Sequence, residues 1–178
     1  NSPSNIAIVK YWWKKENQIP QNPSISFTLS KCYTTTSVEF KPKKNKDSDI
    51  IFEFENEINH PFGQKIRLFI SSIEKYFKFL NNHDIHIKSK NNFPHSSGIA
   101  SSASAMSALS SCLVDFEYLN SNKKSSLYYV NKKSFISRLG SGSASRSIEG
   151  PISLWGISDS YKGSSDLYAI NISEEVNK

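Results

Sequence analysis

The 178-residue chain is poor in several things at once. It has two cysteines, Cys32 and Cys112, too few for a disulfide framework and without the spacing of a zinc site. Both thiols read as small buried groups in a reduced, cytosolic compartment. No apolar run approaches the roughly 18 residues of a membrane span. The opening Asn-Ser-Pro-Ser-Asn has neither the charged nor the apolar region of a signal peptide. It also lacks an initiator Met, so the chain reads as processed or truncated. Arginine is scarce, with only Arg67, Arg138 and Arg146. Glycine is scarce too, at seven residues, so a place where glycines cluster is informative.

What is present fits a globular protein. Hydrophobic residues make up 37% and charged residues 21%, which excludes a disordered acidic tail. The length suits one domain, residues 1–178, with a core of its own. A net charge of +6 suits an acidic partner such as phosphate, nucleic acid or a membrane surface. The excess of Lys, Asn, Ile and Ser over Arg is equally the mark of an AT-rich genome.

Periodicity predicts the elements. Residues 5–9, 24–30, 33–40, 49–54 and 85–88 read as strands, and 41–48 as a solvated hairpin loop. Apolar residues Ile66, Phe69, Ile70, Ile73, Phe77 and Leu80 recur at helical spacing over 64–80. Further helices are expected at about 101–113 and 125–138, and short strands at 151–155 and 167–172. The order is α+β rather than a doubly wound parallel sheet.

Three stretches carry chemistry. In residues 91–105 a strand leads through Pro94, His95 and Gly98 into an Ala/Ser helix. Small side chains there leave the first-turn N–H groups open, and a helix start is an anion site. Ser101 and Ser102 add hydroxyls able to hold a phosphate or Mg²⁺. Close packing of a small-residue helix on a sheet explains the same pattern about as well. The second stretch, Arg138 to Ser147, alternates Gly and Ser before Arg146, and suits an anion held by N–H groups and a guanidinium. A flexible loop with a surface Arg is the plainer reading. The third, Lys10-Tyr11-Trp12-Trp13-Lys14-Lys15, places lysines beside aromatic rings, as a polyphosphate site or as snorkelling side chains. The histidines His60, His83, His86 and His95 have no metal spacing, and no nucleophile triad is indicated.

Taken in order, these segments resemble one family. Asn-Ile-Ala-Ile-Val-Lys-Tyr-Trp-Trp-Lys at 5–14, Pro-Ser-Ile-Ser-Phe-Thr-Leu at 23–29, the loop at 91–103 and Gly-Ser-Gly-Ser-Ala-Ser-Arg-Ser at 140–147 are similar to motifs of diphosphomevalonate decarboxylase. That family lies within the galactokinase–homoserine kinase–mevalonate kinase superfamily. The resemblance implies an N-terminal domain of the ribosomal-protein α+β type, followed in the family by a ferredoxin-like half. It implies ATP-dependent decarboxylation of mevalonate 5-diphosphate to isopentenyl diphosphate, with ATP and Mg²⁺ as cofactors. On this reading the partners are small molecules rather than nucleic acid or a membrane, the location is cytoplasmic, and the full-length protein is a homodimer.

Carried over by position, Lys10 stabilises the transferring phosphoryl group and Arg146 grips the substrate carboxylate, with Asn5 orienting its guanidinium. Tyr11, Lys14, Lys65, Ser141 and Ser143 line the diphosphate pocket. Pro94, Ser97, Gly98, Ala100, Ser101 and Ser102 hold the nucleotide phosphates, and Ser102 also the metal. These roles imply that Asn5, Lys10, Ser102 and Arg146 share one cavity. Four departures stand out. Trp13 replaces a usual Gly, so its ring must swing outward or the turn must differ. His95-Ser96-Ser97 replaces Thr-Ala-Ala, and Pro151 replaces a Gly. The family's catalytic Asp belongs to the second half, so residues 1–178 are expected to be an incomplete portion, inactive alone. A sister kinase or phosphomevalonate decarboxylase, a basic nucleic-acid-binding module, and a vestigial paralogue with a blocked cleft are the competing expectations.

Overall fold

A computed structural model describes residues 1–43, 49–58, 60–94, 98–121 and 125–176. Its frame is a six-stranded sheet: β1 (Ser2–Val9), β2 (Ser24–Pro42), β3 (Ile50–Phe54), β4 (His83–Asn91), β5 (Ile152–Trp155) and β6 (Ala169–Asn171). The order is β3-β4-β2-β5-β6, with β1 paired to β2. The helices are α1 (Phe62–Ile73), α2 (Ser101–Leu119), α3 (Ser126–Gly140) and the short α4 (Ser173–Val176). The mixture is α+β, as the periodicity predicts. Among the described residues no helix is long and apolar enough to cross a membrane.

Two expectations change. The strands predicted at 24–30 and 33–40 form one strand, β2. The gap between them survives as a pairing irregularity: β1 pairs at Thr28 and again at Tyr33, skipping residues 29–32. The Asn92 side chain covers that skip, accepting from Tyr33 N and donating to the Lys31 carbonyl. The expected hairpin at 41–48 does not join paired strands. Lys41 and Pro42 continue β2, residues 44–48 lie outside the described set, and β4 sits between β2 and β3. β3 pairs with β4 in parallel, through α1 as crossover. A local pattern cannot distinguish a hairpin turn from a connection to a non-adjacent strand.

The predicted helix 64–80 is α-helical only to Ile73. Phe77 then takes extended dihedrals (φ −139°, ψ 92°) between two 3₁₀ turns. That break lets Phe77 and Leu80 stay in the core while Phe79 turns to meet Phe40 and Phe116. The core is thus aliphatic and aromatic where α1, α2 and α3 meet β3 and β4.

Near β1 the packing is different in kind. Ser2, Ser24, Ser26 and Thr34 are buried on the sheet, and Ser104, Ser107 and Ser110 are buried on α2. Ser2 Oγ lies 2.6 Å from Ser107 Oγ, and Thr34 Oγ1 lies 2.6 Å from Ser104 Oγ. Small hydroxyl side chains let α2 sit close to the strands, and hydrogen bonding satisfies most of the groups that would otherwise be costly to bury, Ser110 Oγ being left without a partner. This seats the start of α2 beside the end of β1.

Candidate active site

Three segments converge through strand pairing. β1 antiparallel to β2 sets Asn5 opposite Thr28 and leads the chain out at Lys10 and Tyr11. β5 pairs with Ser24–Phe27 on the other side of β2, bringing Trp155 and the 142–147 turn alongside. Ser4 Oγ donates to the Ile99 carbonyl, which ties the loop before α2 to β1. The result is a cleft of about 380 Å³ lined by Asn5, Ile6, Ala7, Lys10, Tyr11, Gly98, Ala100, Ser143 and Arg146.

Arg146 dominates its electrostatics. The side chain is 2% exposed, yet no carboxylate pairs with it among the described residues. Nε donates to Ser26 Oγ at 3.0 Å, and Nη1 has no partner. The guanidinium carbon sits 5.4 Å from the Tyr11 ring and 5.5 Å from the Trp155 ring, between two π faces. Burial pushes its pKa down to about 10, against the upward pull of nearby Tyr11. A buried cation that lines an open cleft and has no carboxylate partner among the described residues is arranged for an anion from outside, and a guanidinium fork suits a carboxylate or phosphate.

The Gly-Ser turn is ordered rather than loose. Residues Gly142–Ser147 form a 3₁₀ turn, with Ser145 Oγ donating to the Gly142 carbonyl and Ser134 Oγ donating to the Ser145 carbonyl. Ser141 and Ser143 hydroxyls lie 3.3 Å apart. Asn5 Nδ2 donates to the Ser143 carbonyl at 3.0 Å and to Ser147 Oγ at 2.7 Å. This corrects one expectation: Asn5 grips the turn that carries Arg146, and the guanidinium itself is aimed by Ser26, Tyr11 and Trp155.

The lysine segment leaves β1 as a tied loop. Asn22 accepts from Trp12 N and donates to the Lys10 carbonyl. Trp13 is 72% exposed, so its ring does swing outward from the position where a Gly is usual. Lys14 Nζ lies over the Tyr11 ring at 5.5 Å and donates to Gln18 Oε1. Its pKa is lowered, first by burial and then by the like charge of Lys65. Lys65 stands in the first turn of α1, its ammonium over the Phe62 ring at 5.5 Å. Two lysines that repel each other, neither of them in an ion pair among the described residues, mark a place for a polyanion.

The α2 start completes the picture in part. Gly98 has φ +79° and Ala100 is left-handed (φ 54°, ψ 46°), and no side chain caps the helix. The first N–H groups are therefore left for a ligand. Ser101 and Ser102 do not line the Arg146 cleft; they line a small neighbouring pocket with Phe54, His60, Phe62, Asn91 and Ala105. The expectation of one cavity shared by Asn5, Lys10, Ser102 and Arg146 is corrected to that extent, because the first turn of α2 points the two serines toward α1 and β3. Pro94 is exposed at the mouth of the loop, while His95 and Ser97 lie outside the described residues.

Ala100 supplies a stability prediction. A left-handed non-glycine residue is strained by roughly 1–2 kcal/mol, and a β-branched side chain there is worse. Ala100→Val should lower unfolding free energy by about 2 kcal/mol in urea titration. Unchanged stability would show that residue 100 does not hold this conformation.

Ile6, Ala7, Ser26 and Trp155 were not predicted for the site. Ile6, Ala7 and Ser26 sit within strand patterns whose alternation speaks only of packing, and Trp155 carries no local signal.

The family described as diphosphomevalonate decarboxylase-like N-terminal domain matches residues 2–168. The chain belongs to that family. It is 34% identical over 181 residues to a diphosphomevalonate decarboxylase of Ganoderma lucidum, covering 94% of this chain and 43% of the relative. Among solved structures, the mevalonate diphosphate decarboxylase from Enterococcus faecalis superposes with a TM-score of 0.76 at 30% identity, covering 98% of this chain and 50% of that one. Another, a complex with MVAPP, AMPPCP and magnesium, superposes at 0.75 with 30% identity, covering 98% and 50%. The chain spans about half the length of the relatives it matches. In this family domain the Arg146 cleft, the α2 start and the Lys14–Lys65 pair are three features suited to anions.

Proposed function

We propose that this chain forms the phosphate- and substrate-gripping part of an ATP-dependent decarboxylase acting on mevalonate 5-diphosphate. The observation that carries the reading is Arg146: a buried guanidinium, without a carboxylate partner among the described residues, on the wall of an open cleft. A substrate with a carboxylate at one end and a diphosphate at the other meets two kinds of cation here. Arg146 takes the carboxylate. Lys14 and Lys65, with Tyr11, Ser141 and Ser143, take the diphosphate. Lys10, on the cleft wall, neutralises charge where a phosphoryl group moves and a phosphate departs.

The residues present also fit a nucleotide. The uncapped α2 start, with Gly98, Ala100, Ser101 and Ser102, suits the phosphates of ATP. Among the described residues no group of three His, Cys, Asp or Glu could hold a metal by itself. Mg²⁺ arriving with the nucleotide would find one protein hydroxyl here, that of Ser102, and would supply charge neutralisation to the phosphates. Bound ATP supplies the phosphoryl group that turns a tertiary hydroxyl into a leaving group. The chain's own side chains orient the substrate and compensate its charges.

The competing readings meet less support. Lysines are spread over the fold, and Lys41, Lys88, Lys132 and Lys133 are already in ion pairs, which does not make a continuous stripe for nucleic acid. The cleft is not blocked by Trp13, which is exposed elsewhere.

Calorimetric titration of the 178-residue chain tests the proposal. Saturable binding of mevalonate 5-diphosphate is expected, tighter than for the monophosphate by about tenfold or more, since one charged group loses its lysine partners. No binding at about millimolar concentration would sink the reading. Equal affinity for mono- and diphosphate would point to a sister enzyme.

A further inference from the structure

We infer that Arg138 is a positioning residue that sets Lys14 at the diphosphate end of the site, an inference that rests on the function proposed above. Arg138 lies in the last turn of α3 and is 1% exposed. It has no carboxylate partner among the described residues, so it is not held as half of an ion pair. Its guanidinium instead binds two backbone carbonyls far away in sequence. Nε donates to Leu167 O at 2.8 Å, and Nη1 donates to Asn17 O. The planar fork reaches both at once, which an ammonium does not.

What it holds at Asn17 is the tip of a turn whose base is closed by its own backbone, Lys15 N donating to Ile19 O and Gln21 N to Trp13 O. Asn17 (φ 53°) and Gln18 (φ 61°) are consecutive left-handed residues, neither of them glycine. Such a pair persists only where surrounding contacts over-determine it. The conformation has a consequence for Lys14, because it presents Gln18 Oε1 to the Lys14 ammonium. Both side chains lie against Gly142: a Cβ added there would meet Lys14 Cδ at 3.3 Å and Gln18 Oε1 at 3.4 Å. The chain of contacts therefore runs from Arg138 through the Asn17 carbonyl to Gln18 and on to Lys14. Each link is short, and Arg138 reaches neither the cleft nor the substrate itself. Without the grip on Asn17 the two left-handed residues at the tip relax, Gln18 Oε1 moves off the ammonium, and Lys14 keeps only its looser contact with the Tyr11 ring. The α2 start is untouched by this chain of contacts, so the loss falls on the diphosphate and not on the nucleotide.

The test is a pair of variants, Arg138→Lys and Gln18→Met, titrated with mevalonate 5-diphosphate and separately with Mg-ATP, with melting temperature recorded for each. Mevalonate 5-diphosphate affinity is expected to fall about tenfold or more in Arg138→Lys and about fivefold in Gln18→Met, with ATP affinity held within about twofold in both. Losses that are equal for the two ligands and follow the melting temperature would make Arg138 a packing residue and overturn the inference. So would unchanged affinities. If Arg138→Lys does not fold, Gln18→Met decides alone, since that side chain is only half-buried. Failure of the unmodified chain to bind mevalonate 5-diphosphate would overturn the functional reading and this inference together, whereas binding that both variants leave intact overturns this inference only.

Discussion

Arg146→Met should abolish tight substrate binding while leaving the fold about as stable as before. The two halves of that expectation come from one fact, the burial of a guanidinium with no carboxylate partner among the described residues. In the folded chain its pKa is pushed down to about 10, so folding disfavours the charged form by on the order of 3 kcal/mol. The penalty is present in full at neutral pH. It fades only as pH rises past about 10, because above that value the folded chain releases the proton before the unfolded chain does. Methionine removes the penalty. It also removes the contacts with the Tyr11 and Trp155 rings and the bond to Ser26, together worth a similar amount. The net change should lie within about 1 kcal/mol of zero, where loss of one partner of a buried ion pair would cost about 3–5 kcal/mol. Binding is another matter. A substrate carboxylate left without its buried partner should lose about 100-fold or more in affinity. Thermal unfolding and calorimetric titration of the same preparation measure both. A variant that unfolds several degrees lower, yet still binds, would mean the guanidinium is a structural strut and not a ligand site.

Gly142→Ala should damage stability and binding together. Gly142 is not in a left-handed conformation, so the issue is space. A Cβ at this position would lie 2.8 Å from Trp155 Cη2 and 3.3 Å from Lys14 Cδ. Trp155 cannot yield, being fully buried, edge-on to Tyr11 with ring centroids 5.0 Å apart, and bonded through Nε1 to the Asp166 carbonyl. Overpacking of this kind costs about 1–3 kcal/mol. The relaxation must pass through Trp155 or the turn itself, and both hold Arg146. Affinity for mevalonate 5-diphosphate should therefore fall by about tenfold or more. Urea denaturation and titration check the two effects. A variant with native stability and native affinity would show that the turn does not pack on Trp155 and Lys14 as described.

The parts of the fold legible in the sequence are those written at short range. Alternation marked β3, β4 and the two ends of β2, and the 3.6-residue period marked the start of α1. Small residues after Pro94 marked the start of α2. The misreadings also have local causes. Residues 30–32 looked like a strand end because pairing fails there, though the backbone stays extended. Phe77 and Leu80 kept the helical period after the helix had stopped, because the extended break at Phe77 and the 3₁₀ turn after it bury them equally well.

The sequence by itself determined that three short segments are suited to anions, and that their order matches one family. Glycine and serine next to Arg146, small residues before Ser101, and lysines beside Tyr11 are chemical facts that need no coordinates. Only the tertiary structure decided which of them act together. β1 and β5 flank the same stretch of β2, and this puts Asn5, Lys10 and Arg146 on one cleft while the first turn of α2 sends Ser101 and Ser102 to the pocket beside it. It also decided that Arg146 and Arg138 are buried without an ion-pair partner among the described residues. Burial and unpaired charge depend on contacts between residues over a hundred positions apart, set by strand register, and no local pattern encodes them.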